Sequence, residues 1–574
     1  MKKKLLCMGL AVMMVFSLIA CGEKKEDGGN KETQGTQGKQ EESDKASDQK
    51  EGNSADSIVT PAGEFPIVKE DVTITLGVVN NGNVVDFKTN YFTNWLKEKT
   101  GVSMEFQEIP SAEVAEKVQL AFASDDFPDA YCGIGRANGT VFSTTNIIKY
   151  GTEGSEQVVP LNDYIETYGT EIKALFEQYE SDGLREMMTS ADGNIYYMPG
   201  FGPSYINRSP NKIWLNQSWL DKLNLEVPET TEEFQKVLEA FATQDPNGNG
   251  KADEIPFVGT SENASYSGYD GIISAFCTNN TQYHRLINNN GTVEFAPVSD
   301  EWRQAMCYMN DLCSAGLFSP LTFTQDTTSL KQILNDENDI CGAVTTLGIG
   351  LLGVTAGSEA LERYRAIPPL AGPDGYRTSV LTIPTPSAGG VITSACKHPE
   401  VVFRLFDFML SFEASTISRY GEEGVNWEKP EEGTPNFYGG NATIRVLDNC
   451  FSVSSNQMWQ NFNPFVNNVH NDGQEWDGTL NGEYLNSLGA IESMKYEPTD
   501  TIPILIFDTT EVDEANETMI YLDDYVKETI AKFITGEYDP YSDADWEKYL
   551  KEYNALGLES FLKLAQAAYD RMNQ

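Results

Sequence analysis

The alternation of apolar and polar positions sets out the first third of the chain. Val72 to Val79 is an apolar, β-branched run, the pattern of a strand entering a core. Phe87, Tyr91 and Trp95, with Phe92 and Leu96, recur at helical spacing, and the stripe stops at Gly101. Val102-Ser-Met-Glu-Phe106 alternates as a second strand. Ser111 stands where it could cap a helix carrying Val114, Val118, Ala121 and Phe122, and Asp125 to Pro128 ends it. Asp129-Ala-Tyr131-Cys132 reads as a third, short strand. Strand, helix, strand, helix, strand predicts an α/β lobe with a mainly parallel sheet, in which ligands gather at the carboxyl ends of the strands.

Further along, Ala191-Asp-Gly-Asn-Ile-Tyr196-Tyr197-Met-Pro199 predicts a turn and then a short extended piece. Thr230 and Glu233 form a capping box before Phe234, Val237, Leu238 and Phe241, which share a helix face. Trp302 to Leu317 is expected to be helical and Asp339 to Thr346 a strand. From about Glu511 three helical stripes follow, through Tyr525, Ile530 and Phe533, through Trp546, Tyr549 and Tyr553, and through Phe561, Ala565 and Tyr569.

The amino terminus changes the picture from a globular protein to an exported one. Lys2-Lys3-Lys4 precede an apolar run to Ile19, then Ala20-Cys21-Gly22, a secretory signal too short for a permanent span. Leu18-Ile-Ala-Cys21 resembles the bacterial lipobox, which would make Cys21 the lipidated first residue; the alternative is an ordinary signal peptide. From 22 to 58 only Ala46, Ala55 and Ile58 are apolar, so this stretch is expected to be a disordered tether. The formal charge of −45, less the three signal lysines, leaves about −48, which argues against a nucleic-acid partner. Seven cysteines beyond Cys21, an odd count without CxxC spacing, argue against a disulfide framework or a zinc site and leave one disulfide open.

Asp245-Pro-Asn-Gly-Asn-Gly-Lys-Ala-Asp-Glu254 places oxygen-bearing side chains at 245, 247, 249 and 253, with Gly250 at the sharp turn. This is the opening of an EF-hand-type calcium loop, with Lys251 offering its carbonyl and Pro256 standing where the closing Glu would be. Glu254 is the substitute carboxylate, and the other reading is an Asn-Gly turn that binds nothing. Gly348-Ile-Gly-Leu-Leu-Gly353 spells a dinucleotide fingerprint but lacks the acid about 20 residues on, so a tight turn facing the cleft is expected instead. His284, His398 and His470 lie far apart without a metal or triad spacing.

Trp95-Leu-Lys-Glu-Lys-Thr-Gly-Val102, Ala123-Ser-Asp-Asp-Phe-Pro-Asp-Ala130, Asp192 to Pro199, Trp219 to Leu225 with the capped helix after Thr230, Lys532 to Gly536 and Ala568 to Arg571 together resemble the extracellular solute-binding proteins of ABC importers, in particular the long lipoprotein subgroup similar to alginate- and oligosaccharide-binding members. The resemblance implies a two-lobed, type II periplasmic-binding-protein-like α/β fold with a hinge and extra C-terminal helices. On that plan residues 1–20 are the signal and 21–65 the lipidated cysteine and tether. Lobe 1 takes 66–194 with 375–455, and lobe 2 takes 195–374 with 456–574. It further implies a monomer, tethered to the outer face of the membrane, that captures a carbohydrate and hands it to the permease without chemistry of its own. Alginate-binding members carry a similar calcium loop, which makes Asp245, Asn247, Asn249, Lys251, Asp253 and Glu254 the metal ligands by that likeness. Trp214-Leu-Asn216-Gln-Ser218-Trp-Leu220 departs from the family's Trp-Ile-Arg-x-Asp-Trp-Leu by losing both charges. The expected sugar platforms are aromatics in Gly- or Asn-rich contexts, namely Tyr131, Tyr196, Tyr197, Tyr376, Trp427 and Trp459, with Asp129 and Asp270 as hydroxyl acceptors. A cell-surface polysaccharide-degrading enzyme, with its two carboxylates hidden among the acids, is the alternative, as is a binding protein for a peptide or phospholipid.

Overall fold

The structure, a computed structural model, describes residues 57–137, 142–152, 154–262, 266–354, 358–380, 382–451, 453–467, 472–508 and 510–572. The signal, Cys21 and most of the expected tether lie outside these residues, as does His470.

Two hydrophobic cores organise the described chain. The first joins residues between Val59 and Phe201 to residues between Ala388 and Phe462. The second gathers residues from Ile213 to Leu370 and from Ile502 to Ala568, flanked by a smaller cluster around Trp214 and Leu485. The chain passes between the cores three times, between Phe201 and Ile213, between Ile383 and Ala388, and between Val466 and Leu480. Residues 456–466, expected in the second lobe, instead pack on the first core through Trp459, Phe462 and Val466. Their alternation carried no sign of which core would receive them.

The first core is built on a six-stranded sheet. Val72–Asn80 lies one strand in from an edge, parallel to the edge strand Val102–Pro110 on one side and to Ala130–Cys132 on the other. The strand Ser387–Ile392 returns from the second core and inserts antiparallel between Ala130–Cys132 and Met198–Phe201, and Phe465–Val466 closes the far edge. The returning strand reads Ser-Ala-Gly-Gly-Val-Ile because its neighbours press close: a Cβ on Gly389 would lie 2.6 Å from the Gly200 nitrogen, and one on Gly390 2.6 Å from the Phe406 ring. The second core holds a three-stranded sheet centred on Lys212–Asn216, antiparallel to Ala343–Thr346 and Tyr364–Ala366.

Helix signals translate unevenly. Thr230 and Glu233 make the reciprocal capping box of the helix Thr231–Thr243, and Phe234, Val237, Leu238 and Phe241 are all buried. Ser111 does not cap; a single 3-10 turn, Ser111–Glu113, precedes the helix Val114–Ser124, which buries Val114, Val118 and Phe122 of the expected stripe and leaves Ala121 half-buried. The helices Val512–Thr535, Asp543–Ala555 and Leu558–Met572 bury Val526, Ile530, Phe533, Trp546, Tyr549, Tyr553 and Phe561 in the second core. No helix of the described residues is long and apolar enough to cross a membrane.

Candidate functional site

Most of the aromatics expected to face a sugar lie in the cores. Trp459 has no exposed surface: its indole N–H donates to Thr93 Oγ1 at 2.9 Å, and Phe87, Phe92 and Phe106 pack around it. Trp427 is 1% exposed and donates to the Gly421 carbonyl. Tyr131 packs over Gly77, where a Cβ would stand 2.5 Å from its ring, and burial pushes its hydroxyl up from the usual value. Tyr196 donates to Asp192, and Tyr197 shares a hydrogen bond of 2.9 Å with Thr144. Turn-rich flanks brought these rings to notice, but all five are buried, and the polar atoms of Trp427, Trp459, Tyr196 and Tyr197 are engaged within the core.

The two acids are likewise committed. Asp129 accepts the Thr75 backbone N–H at 2.7 Å, which ties one parallel strand to the next. Asp270 is buried, accepts from Ser267 and from Asn279 at 2.7 Å, and lies 3.5 Å from Arg285. Tyr376 is half-buried, with its hydroxyl 2.6 Å from Thr278, which in turn donates to Asp500. All seven cysteines of the described residues are free. Gly348 to Gly353 forms the capped 3-10 turn Ile349–Leu352 that follows the strand Ala343–Thr346, with Gly348 pressed against the Asn486 side chain. His284 contacts Asp523, and His398 lies 3.6 Å from Glu400.

A different set of rings lines the strip of chain that bridges the two cores. The Trp476 and Tyr484 rings stack at 4.8 Å with 12° between their planes, and Phe437 lies 5.9 Å from Tyr484. Tyr205 and Tyr438 meet at 4.9 Å, and the Tyr438 hydroxyl donates to Ser487 at 3.0 Å. Apart from Phe437, which is buried, these rings are half-buried or exposed, unlike Trp427 and Trp459. Trp476 Nε1, Asn467 Oδ1 on the same crossing and Asn486 Oδ1 two residues past Tyr484 are buried and unpartnered within the described residues, as are both amide atoms of Asn461, whose backbone N–H donates to Ser418. Buried polar groups are normally satisfied, so a run of open donors and acceptors beside flat rings is a surface prepared for a polar partner.

Two groups here have shifted proton affinities. Burial raises the Asp472 carboxyl to about 7, against the Tyr205 N–H that it accepts. Burial lowers the Lys212 ammonium to about 7, with Glu483 opposing the shift, while its Nζ donates to the Ser209 carbonyl. At the first-core end of the strip, Arg419 lies over the Phe451 ring at 4.1 Å, and Arg136 lies 5.8 Å from the same ring. Arg136 stands just past Ala130–Cys132, at the carboxyl end of a strand where the parallel topology places ligands. The flanks of Trp476, Gly473-Gln-Glu-Trp-Asp-Gly478, satisfied the criterion applied to Trp427 and could have disclosed it. A separate cavity of about 530 Å³ is lined by apolar residues such as Ile502, Leu505, Phe507 and Ile520 and by polar ones such as Asn146, Gln282, His284, Thr385, Asn516 and Asp523.

The loop after the helix Thr231–Thr243 is folded around its own oxygens. Asp245 accepts the N–H groups of Gly248 and Gly250, Asn247 that of Asn249, and Asn249 that of Lys251. The amides of Asn247 and Asn249 both reach the Asp253 carboxylate, at 3.1 and 3.0 Å, and hold it below the usual range. Glu254 Oε1 is buried without a partner. Among the described residues no three His, Cys, Asp or Glu side chains converge as a metal site. The loop's candidate donors therefore combine acids with amide and carbonyl oxygens, which suits a hard cation, and the unpartnered Glu254 oxygen fits one.

The family model for bacterial extracellular solute-binding proteins matches residues 81–415. The chain belongs to that family. Its members are binding proteins, not enzymes, which sets aside the hydrolase alternative. The solute-binding chain is 26% identical over 509 residues to the fructooligosaccharide ABC transporter substrate-binding protein FusA of Streptococcus pneumoniae serotype 4, covering 83% of this chain and 86% of FusA. The structure of S. pneumoniae FusA with kestose superposes with a TM-score of 0.71 at 24% identity, covering 87% of this chain and 99% of that one. A FusA EF-hand mutant with fructo-nystose gives 0.70 at 23%, with the same coverage. The fold of this solute-binding protein is thus the two-lobed α/β architecture of its neighbours.

Proposed function

We propose that the chain is the lipid-anchored substrate-binding subunit of an ABC importer, capturing an oligosaccharide on the strip between the lobes and delivering it to the permease. The observation that carries this reading is the stacking of Trp476 on Tyr484 on chain segments that also hold the open polar atoms of Trp476, Asn467 and Asn486. A sugar ring offers an apolar C–H face and an equatorial fringe of hydroxyls, and flat rings edged by planar amides match both. FusA, similar over most of its length, is named for fructooligosaccharides, which supports the ligand class. The lipobox-like Leu18 to Cys21 supports the anchor.

Calcium belongs to the same proposal as a structural ion. Asp245, Asn247, Asn249, Asp253, Glu254 and the Lys251 carbonyl would hold it. A bound cation supplies fixed charge that cross-links the loop. The FusA EF-hand mutant indicates such a loop in a relative. Calorimetric titration of the full chain with a panel of oligosaccharides, with product analysis alongside, tests the function: saturable binding without turnover is expected, and hydrolysis of the bound sugar overturns it.

A further inference from the structure

The chain carries 86 acids against 41 bases, so an arginine readily finds a carboxylate. Eight of its arginines do: Arg185, Arg208, Arg285, Arg303, Arg363, Arg365, Arg445 and Arg571 each lie within 4.0 Å of an Asp or Glu oxygen. Arg404 spends its guanidinium on the carbonyls of Thr60 and Glu64, and Arg377 stacks on Tyr496 with its Nε on the Pro369 carbonyl. Arg136 and Arg419 remain, and within the described residues neither has a carboxylate partner.

These two are neighbours. Both guanidiniums lie within 5.8 Å of the Phe451 ring centroid, Arg136 is also 5.4 Å from Phe462, and Arg419 Nε is buried with no hydrogen-bond partner. Arg136 is exposed and Arg419 half-buried; partial desolvation, and then the charge of Arg419, lower the Arg136 guanidinium, which stays cationic at neutral pH. Two like charges held together without a carboxylate partner repel each other, a cost that an oxyanion between them reverses. The backbone holds them there. Gly133 has φ +75° against Phe462, and a Cβ on Gly135 would meet the Ala388 nitrogen at 2.4 Å, so the turn carrying Arg136 is seated on the sheet. Arg419 lies in the last turn of the helix Phe412–Tyr420, and the Gln474 side chain donates to the hydroxyl of the next residue, Tyr420, joining the pair to the strip of rings.

We propose that this strip takes an acidic oligosaccharide, with the uronate carboxylate or sulfate ester of one sugar seated between Arg136 and Arg419 over the face of Phe451. The inference rests on the oligosaccharide-binding reading above and narrows it to a charged substrate. Planar guanidinium forks suit both oxyanions, and the Phe451 ring beside them offers a face for the sugar's C–H side.

The test titrates the full chain with trigalacturonate, a sulfated trisaccharide and neutral kestose, at low and high salt, and repeats it with Arg136→Gln, Arg419→Gln and Arg419→Lys. At least one acidic ligand should bind more tightly than kestose and weaken with salt. Each Gln variant should lose at least tenfold for the acidic ligand and under twofold for kestose, with Arg419→Lys between, all at an unchanged melting temperature. Binding by the sulfated ligand alone keeps the oxyanion seat and identifies its source. Preference for kestose, or equal losses for both ligand types, overturns the acidic substrate and leaves the binding function standing. Saturation by none of the saccharides overturns both.

Discussion

Asp407 caps the amino terminus of the helix Glu171–Gln178 from across the sequence. Its Oδ1 accepts the Ile172 N–H at 2.9 Å, and its Oδ2 accepts the N–H and hydroxyl of Thr170 at 2.9 and 2.7 Å and the Glu171 N–H at 3.2 Å. The carboxylate is buried, on a helix that follows the returning strand, so the cap binds the late segment of the first core to the early one.

Asp407→Ala leaves several buried donors open at once. It should cost roughly 2–4 kcal/mol, more than an exposed cap, because the lost acceptor is charged and desolvated. Urea denaturation at neutral pH measures it, and a midpoint within error of the parent would remove the cap from the stability of this core.

Calcium should raise the melting temperature of the full chain and chelator should lower it. One ion bound only to the folded state contributes about 2.7 kcal/mol at 100 times its dissociation constant. Asp245→Ala and Asp253→Ala should each abolish the response. A melt indifferent to both calcium and chelator, with no calcium in the purified protein by elemental analysis, would leave the loop as a hydrogen-bonded turn.

Lys212 sets a pH dependence whose sign follows from its burial. The folded chain releases this proton near pH 7, whereas the unfolded lysine holds it to about 10.5. Between those values the unfolded state binds more protons, so this group makes stability rise with pH, at no more than about 1.4 kcal/mol per unit. Lys212→Met should flatten that rise. Urea unfolding of both proteins at pH 7 and pH 9.5 checks it, and equal slopes would discount the buried ammonium.

Two tryptophans should separate stability from binding. Trp459→Ala removes a ring enclosed by Phe87, Phe92 and Phe106 and should cost about 3–5 kcal/mol. Trp476→Ala removes a half-buried ring and should shift the melt little while weakening oligosaccharide binding by about tenfold or more, roughly 1.4 kcal/mol. Unchanged binding by Trp476→Ala, with binding lost in a folded Trp459 variant, would reverse the assignment.

Local order was legible where a short-range cause sufficed. Val72–Asn80 is β-branched and buried along most of its length, and Thr230 with Glu233 closes its box within one turn of helix. The loop at 245 needed only alternate oxygens and two glycines with positive φ, Gly248 and Gly250. The candidate site was not legible in the same way. Trp427 and Trp476 both sit among Gly, Glu and Asn or Gln in the sequence, yet one closes a core and the other lies on the strip.

Sequence by itself determined the alternating strands and helices, the capped helix, the oxygen-rich loop and the leader-like amino terminus, because propensity, capping and periodicity act over a few residues. Tertiary structure decided which aromatics are covered, that 456–466 joins the first core, and that Asp129 and Asp270 already have partners. It also brought Arg136 beside Arg419 across the whole length of a returning chain, a closeness set by the insertion of Ser387–Ile392 into the first sheet. Burial and pairing are properties of surfaces that meet only once the chain has crossed between its cores, and no local pattern encodes them.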